Sequence, residues 1–285
     1  MNGRVCLITG ASSGIGKATA TELAKMGATL VMVCRDRSRG ELALGEVREA
    51  SGNDSVRLML SDLSSLGSVR ELAEAFLAQQ QPLHVLVNNA GIFSLRHRTT
   101  VDGFEETFAV NYLAPFLLTN LLLNSLRSSA PSRIVNVSSA SHYGGHIDFD
   151  DLQGNRRYRG GRAYSQSKLA LVLFTHKLAE MLAGTGVTAN SLHPGVVATN
   201  IWRRSAGRAS FVMKIPALFM ASPKEGAETV VFLASSSNVE RVSGEYFEKK
   251  AAKRSSKESY DRAVADRLWN ISGELTGLAA TRSTG

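Results

Sequence analysis

The chain has 285 residues, 44% of them hydrophobic and 20% charged, with a formal net charge of +8. That suffices for one extended α/β domain, and with only two cysteines, Cys6 and Cys34, it excludes a disulfide-built scaffold. The basic clusters, Arg156, Arg157, Arg159 and Arg162, then Lys249, Lys250, Lys253, Arg254 and Lys257, lack interleaved aromatics or a reader motif, so they read as solvated faces and no nucleic-acid partner is expected.

The first element, Arg4 to Thr9, is a short apolar run of strand character. It passes at once into Gly10-Ala11-Ser12-Ser13-Gly14-Ile15-Gly16 and a helical stretch from Lys17 to Met26. Strand, glycine turn and helix together let the backbone approach a pyrophosphate closely and aim the helix amides at it. The spacing is Gly-x-x-x-Gly-x-Gly, and taken alone such a turn is equally a tight connection with no ligand. No charged, apolar leader precedes the first strand, and the sparse cysteines suit a reducing compartment, so a soluble, cytoplasmic protein is expected.

Further apolar runs follow at Leu30 to Val33, Val56 to Leu60, His84 to Val87, Arg133 to Val137 and Thr188 to Leu192, with helical segments between them. The alternation predicts a single doubly wound parallel sheet with helices on both faces, spanning residues 1–280, and a disordered tail at 281–285. No linker or repeat divides the chain. The longest apolar stretch, Tyr112 to Leu123, is too short to cross a bilayer, so weak peripheral attraction of the basic faces to anionic lipid is the most membrane contact expected.

In a predicted helix from Ala163 to Leu182, Tyr164 and Lys168 stand four residues apart and share a face. A free tyrosine holds its proton to about pH 10, so it needs a fixed positive charge to trade protons near neutrality, and Lys168 is placed to supply one. The pair also occurs by chance in many helices. Beyond Pro194-Gly195 comes an apolar stretch containing Ile201, Trp202, Phe211, Phe219 and Met220, which reads either as a lining for a lipophilic ligand or as a helix packed on the core.

Taken in order, Thr9-Gly10-x-x-x-Gly14-x-Gly16, Asn88-Asn89-Ala90-Gly91, Asn111, Ser139 in Ile134-Val135-Asn136-Val137-Ser138-Ser139, Tyr164-x-x-x-Lys168 and Pro194-Gly195 resemble the short-chain dehydrogenase/reductases. Cys34-Arg35-Asp36, Phe149-Asp150-Asp151-Leu152, His193-Pro194-Gly195-Val196-Val197 and Arg267-Leu268-Trp269-Asn270 resemble the retinol dehydrogenase-like branch. The resemblance runs from about Gly3 to Leu278. It implies a Rossmann sheet and a catalytic set of Asn111, Ser139, Tyr164 and Lys168. Tyr164 would be the general acid or base, Ser139 would hydrogen-bond the reacting oxygen, and Lys168 would lower the phenol pKa and hold the nicotinamide ribose. Asn111 would help hold a water that relays protons.

The same resemblance implies that the cofactor is held by Gly10, Ser12, Ser13, Gly14, Ile15, Gly16, Arg35, Asp62, Leu63, Asn88, Ala90, Gly91, Tyr164, Lys168, Pro194, Gly195, Val197 and Thr199. An acidic residue at the end of the second strand would select NAD(H). Cys34 stands there, followed by Arg35, whose guanidinium suits a 2′-phosphate, so NADP(H) is favoured. Asp36 would contact the ribose only if the register moved by one. Ser139, His142, Tyr164 and Trp202 are the expected substrate contacts, with residues 200–222 as a lid. The implied function is interconversion of a lipophilic alcohol, retinol-like, with its aldehyde or ketone. The alternatives are a steroid or sugar ketone reductase and a non-catalytic NADP(H)-binding regulatory protein. No metal is expected, and family members often pair through the helices carrying Asn111 and Tyr164, which would give a homodimer.

Overall fold

The structure, a computed structural model, describes residues 1–195 and 221–278. Eight strands form one sheet in the order β3-β2-β1-β4-β5-β6-β7-β8. They are β1 (Val5–Thr9), β2 (Thr29–Cys34), β3 (Val56–Leu60), β4 (Val85–Asn88), β5 (Ser132–Val137), β6 (Val187–His193), β7 (Tyr246–Glu248) and β8 (Ala251–Lys253). All neighbours pair in parallel except β7 and β8, a hairpin at the edge. The predicted parallel sheet is thus present, with an antiparallel edge strand that the sequence reading did not include.

Among the described residues the α-helices are α1 (Gly14–Lys25), α2 (Arg37–Ser51), α3 (Leu66–Leu77), α4 (Glu106–Ser128), α5 (Gly160–Met181), α6 (Pro223–Ser235) and α7 (Arg262–Thr276). They cover both faces because the central strands are apolar on both sides: Leu7 joins one core while Cys6 and Ile8 join the other. Phe76 of α3, Phe116 of α4 and Leu173 of α5 fill the first core, and Leu23 of α1, Val47 of α2 and Val230 of α6 fill the second. Burying each such side chain contributes about 1.5–3 kcal/mol.

One expectation about the helices is corrected. The apolar stretch at Tyr112 to Leu123 is the middle of α4, a helix of 23 residues that is long and apolar enough to cross a membrane by length and composition, although 72% of its most apolar window is buried inside the protein. α7 packs on α4 and α5 of the same chain. Trp269 meets Phe116 at 5.0 Å and Phe174 at 5.7 Å between ring centres, and the Tyr112 and Ser272 hydroxyls are 2.7 Å apart.

Parallel strands bring their C-terminal ends to one edge, so Gly10, Arg35, Asn89, Ser139 and Pro194 arrive together. Strand order reverses between β1 and β4, the crevice where a doubly wound sheet accepts a ligand.

Candidate active site

The glycine turn is clasped to the next strand. Thr9 Oγ1 accepts from the main-chain N–H groups of Asn89 at 3.0 Å and Ala90 at 3.1 Å. Asn89 Nδ2 donates in return to the carbonyls of Thr9 at 2.9 Å and Gly10 at 3.3 Å. Gly10 and Gly14 have φ of +68° and +56°, the left-handed region that favours glycine. A Cβ on Gly16 would lie 2.4 Å from the Gly10 carbonyl oxygen and 2.5 Å from Asn89 Nδ2.

Ser13, the N-cap of α1, makes no side-chain cap bond, whereas Asp36, Ser65, Ser222 and Asp261 each cap the helix they precede. The first amides and the positive end of α1 are therefore left for an outside anion, and the narrow turn fits a dinucleotide pyrophosphate. Ile15 presents only main chain here, because its side chain lies in the core.

At the end of β2, Cys34 is buried and its thiol is pushed up to about 11, with a bond from Ser12 partly opposing the burial. Arg35 is exposed beside it. The Asp36 carboxylate accepts from the Arg39 N–H at 2.8 Å and so caps α2. Asp62 Oδ1 accepts from the N–H and hydroxyl of Ser64 at 3.0 and 2.8 Å, which shapes the turn after β3, and Leu63 packs into the core.

Tyr164 and Lys168 lie on α5, both buried, with the ammonium 5.7 Å from the centre of the phenol ring. The Ser139 side chain hydrogen-bonds Tyr164. Ser139 follows β5 in extended backbone, which turns its hydroxyl toward α5. Lys168 Nζ donates to the Val137 carbonyl at 2.9 Å, and a Cβ built on Gly91 would lie 3.4 Å from that nitrogen.

Asn111 is fully buried within a π turn, Ala109–Leu113, in α4. Its Nδ2 donates to the Ile92 carbonyl and to Ser167 Oγ, each at 3.0 Å, and its Oδ1 accepts from the Ile92 N–H at 2.8 Å. The four residues expected to form a catalytic set thus converge, with Ser167 linking Asn111 to the Tyr164 carbonyl at 2.8 Å.

The electrostatics differ from expectation. Lys168 was expected to lower the Tyr164 pKa, but burial dominates and holds the phenol above its ordinary value, with the Ser139 bond opposing. The ammonium addresses the ring and a carbonyl, and burial lowers its own pKa to about 8.

Other expected contacts are corrected. Asn88 does not turn its side chain to the cofactor crevice: Nδ2 donates to Thr119 Oγ1 at 3.0 Å and Asn136 Oδ1 at 2.8 Å inside the core. Its neighbour Asn89 does the work at the turn. His142 does not line a substrate pocket: it is fully buried, with Nδ1 2.7 Å from the Ser139 carbonyl and Nε2 accepting from the Ser256 N–H at 3.2 Å. Pro194 and Gly195 directly follow β6, with Gly195 at φ +87°. Val197, Thr199, Trp202, nearly all of the predicted lid and the predicted tail lie outside the described residues. Phe93, which the sequence reading passed over, stands edge-on to Tyr164 with ring centres 5.6 Å apart. Its signal was its place two residues after Gly91. Among the described residues no group of three or more His, Cys, Asp or Glu could hold a metal.

A glycine-turned helix start and a Ser-Tyr-Lys group on one sheet edge define a dinucleotide-dependent oxidoreductase. The family model for short chain dehydrogenases matches residues 4–208, and the chain belongs to the short-chain dehydrogenase/reductase family, in its retinol dehydrogenase-like branch. It is 46% identical to retinol dehydrogenase 13 of Mus musculus over 283 residues, 97% of this chain and 85% of that protein. Against retinol dehydrogenase 12 of Homo sapiens it is 45% identical over 276 residues, covering 97% and 87%. Among solved structures, a Mycobacterium paratuberculosis protein has a TM-score of 0.79 at 35% identity, covering 97% of this chain and 94% of that one. A blue fluorescent protein from a metagenomic library, in complex with NADPH, has a TM-score of 0.67 at 30% identity, covering 86% and 96%.

Proposed function

We propose that the protein is an NADP(H)-dependent oxidoreductase that interconverts a lipophilic, retinol-like alcohol and its aldehyde or ketone. The observation that carries this reading is the Ser139–Tyr164 bond, with Lys168 beneath it, on the sheet edge that also bears the glycine turn. For NADP(H), the support is that no free carboxylate waits at the end of β2: Cys34 is buried, Asp36 is spent on a cap, and Arg35 is free to meet a 2′-phosphate. The NADPH complex of the metagenomic relative is consistent with this. For the substrate, the support is the names of the retinol dehydrogenases and the Phe93 ring beside Tyr164.

With the cofactor bound, its nicotinamide would supply the hydride that reduces the carbonyl carbon. Tyr164 gives its proton to the carbonyl oxygen, and Ser139 hydrogen-bonds the same oxygen as charge develops there. Burial keeps the phenol protonated at neutral pH, ready to donate. Lys168 would hold the ribose hydroxyls and return a proton toward Tyr164. Both Nδ2 hydrogens of Asn111 are engaged, by the Ile92 carbonyl and Ser167 Oγ, so its side chain has only a remaining Oδ1 lone pair to offer a relay water.

The test is to mix purified protein with NADPH or NADH and a panel of long-chain aldehydes and follow the absorbance of reduced nicotinamide. NADPH should win, and Arg35→Ser should erode its advantage by about ten- to a hundredfold in kcat/KM, the worth of a charge-assisted bond. No turnover across the panel, or an unchanged preference in R35S, would sink the reading.

A further inference from the structure

We propose that His142 is a positioning residue for Ser139, tying the carbonyl of that serine to the main chain of Ser256. This rests on the catalytic reading of Ser139 above. His142 lies three residues beyond Ser139, in the 3-10 turn Ala140–Gly144. Its ring is wedged between Tyr143 and Tyr246, with centres 4.1 and 4.5 Å away. Both nitrogens are used. The Ser256 N–H can only donate, so Nε2 at 3.2 Å accepts, and the ring proton therefore sits on Nδ1 and is donated to the Ser139 carbonyl at 2.7 Å.

Ser256 is in turn anchored to the helix that carries Tyr164. Its carbonyl accepts from the N–H of Ser259 at 3.1 Å and from the Ser259 hydroxyl at 2.6 Å. The Ser259 carbonyl lies 2.8 Å from Nδ1 of His176 on α5. The bonds close a circuit: Ser139 to His142, Ser256, Ser259, His176, along α5 to Tyr164, and back to the Ser139 hydroxyl. Two further ties hold the same segment to the turn after Ser139: the Tyr143 hydroxyl to the Arg254 carbonyl at 2.8 Å, and the Ile147 N–H to the Glu258 carboxylate at 2.9 Å.

The circuit gives the stretch after β8 a task in the chemistry. A hydroxyl that must meet a reacting oxygen to within a fraction of an ångström needs its main chain fixed on more than one side. The Ser139 hydroxyl bonds to Ser141, and His142 fixes the carbonyl. A histidine suits the place because a rigid ring offers one donor and one acceptor at opposite ends. Phenylalanine would fill the volume and supply neither, whereas asparagine could still donate to the Ser139 carbonyl.

The experiment compares His142→Phe and His142→Asn with the natural protein, in aldehyde reduction with NADPH. H142F should lower kcat about ten- to a hundredfold, the cost of a misplaced catalytic group, with NADPH affinity held within about twofold. H142N should recover most of that loss. Wild-type kcat per folded molecule in H142F, or H142N no better than H142F, would overturn the proposal. If the variants do not fold, nitrogen-15 NMR of the natural protein decides: a His142 ring protonated on Nδ1 alone supports it, and the other tautomer or a doubly protonated ring at neutral pH overturns it. Tyr164→Phe distinguishes the role of Tyr164 from that of His142. An active Y164F removes the catalytic reading and this inference with it, whereas an inactive Y164F beside a fully active H142F removes only the role of His142.

Discussion

The Lys168 ammonium is fastened to the Val137 carbonyl at 2.9 Å, two residues before Ser139 on the same stretch of chain. One bond therefore fixes the helix of the tyrosine against the strand of the serine, and the charge is held under the ring at 5.7 Å from its centre. An ammonium so enclosed loses hydration, which is why it gives up its proton near pH 8, well below the usual lysine range.

Aldehyde reduction should accordingly weaken as pH rises through about 8, because the charged form of Lys168 is progressively lost there. The profile of kcat/KM against pH reports ionisations of the free enzyme and is the measurement to make. Lys168→Arg, whose guanidinium stays charged, should be slower but lose the alkaline limb. A limb at the same pH in that variant would assign it to another group.

Gly16→Ala should abolish cofactor binding. The added carbon would sit 2.4 Å from the Gly10 carbonyl oxygen, and main chain cannot yield as the end of a flexible side chain can. The thermal stabilisation that NADPH confers on the natural protein, about 2.7 kcal/mol at a hundred times Kd, should vanish. A ligand-induced rise in Tm equal to that of the natural protein would show that the turn is not the binding cradle.

Acid should weaken the fold. Burial is the leading reason that His84, His142, His176 and His193 hold pKa values below the ordinary 6.5. The unfolded chain then binds protons that the folded one refuses, so stability is intact above pH 6.5 and declines as pH falls below it toward the folded values. Urea midpoints taken from about pH 7.5 down to about pH 5 should drop steadily. A flat series would refute the claim.

Trp269→Ala should cost about 2–4 kcal/mol of stability and lower Tm by several degrees, through lost contact with Phe116 and Phe174. The indole touches neither Tyr164 nor the glycine turn in any described contact, so kcat per folded molecule should hold. Calorimetry beside the aldehyde assay distinguishes the two effects.

The sequence disclosed the sheet and the residues that meet at its edge because both leave local marks. Val56–Leu60 was legible to the residue, since a short apolar run broken only by Arg57 and bounded by turn signals reads as a strand. The hairpin Tyr246–Glu248 and Ala251–Lys253 was not, because strands of three residues carry no period. Asn88 and Asn89 could not be separated by composition. One belongs to a strand and faces the core, the other follows it and faces the turn, and a single step in register decides which. Asn111 was found as a residue, but nothing in Ala-Val-Asn-Tyr-Leu announces a π turn. The phenol environment was misjudged for a different reason: spacing along a helix gives the distance of Lys168 and omits how much water the surrounding chain removes.

Seating α7 on α4 and α5 makes the closure of that apolar face a unimolecular event. Because its cover is tethered to the same chain, the face stays shut at nanomolar as at micromolar protein, and dilution cannot uncover Phe116 or Phe174. A cut in the chain before Arg262 would turn that internal seam into an adhesive surface, open to any greasy neighbour.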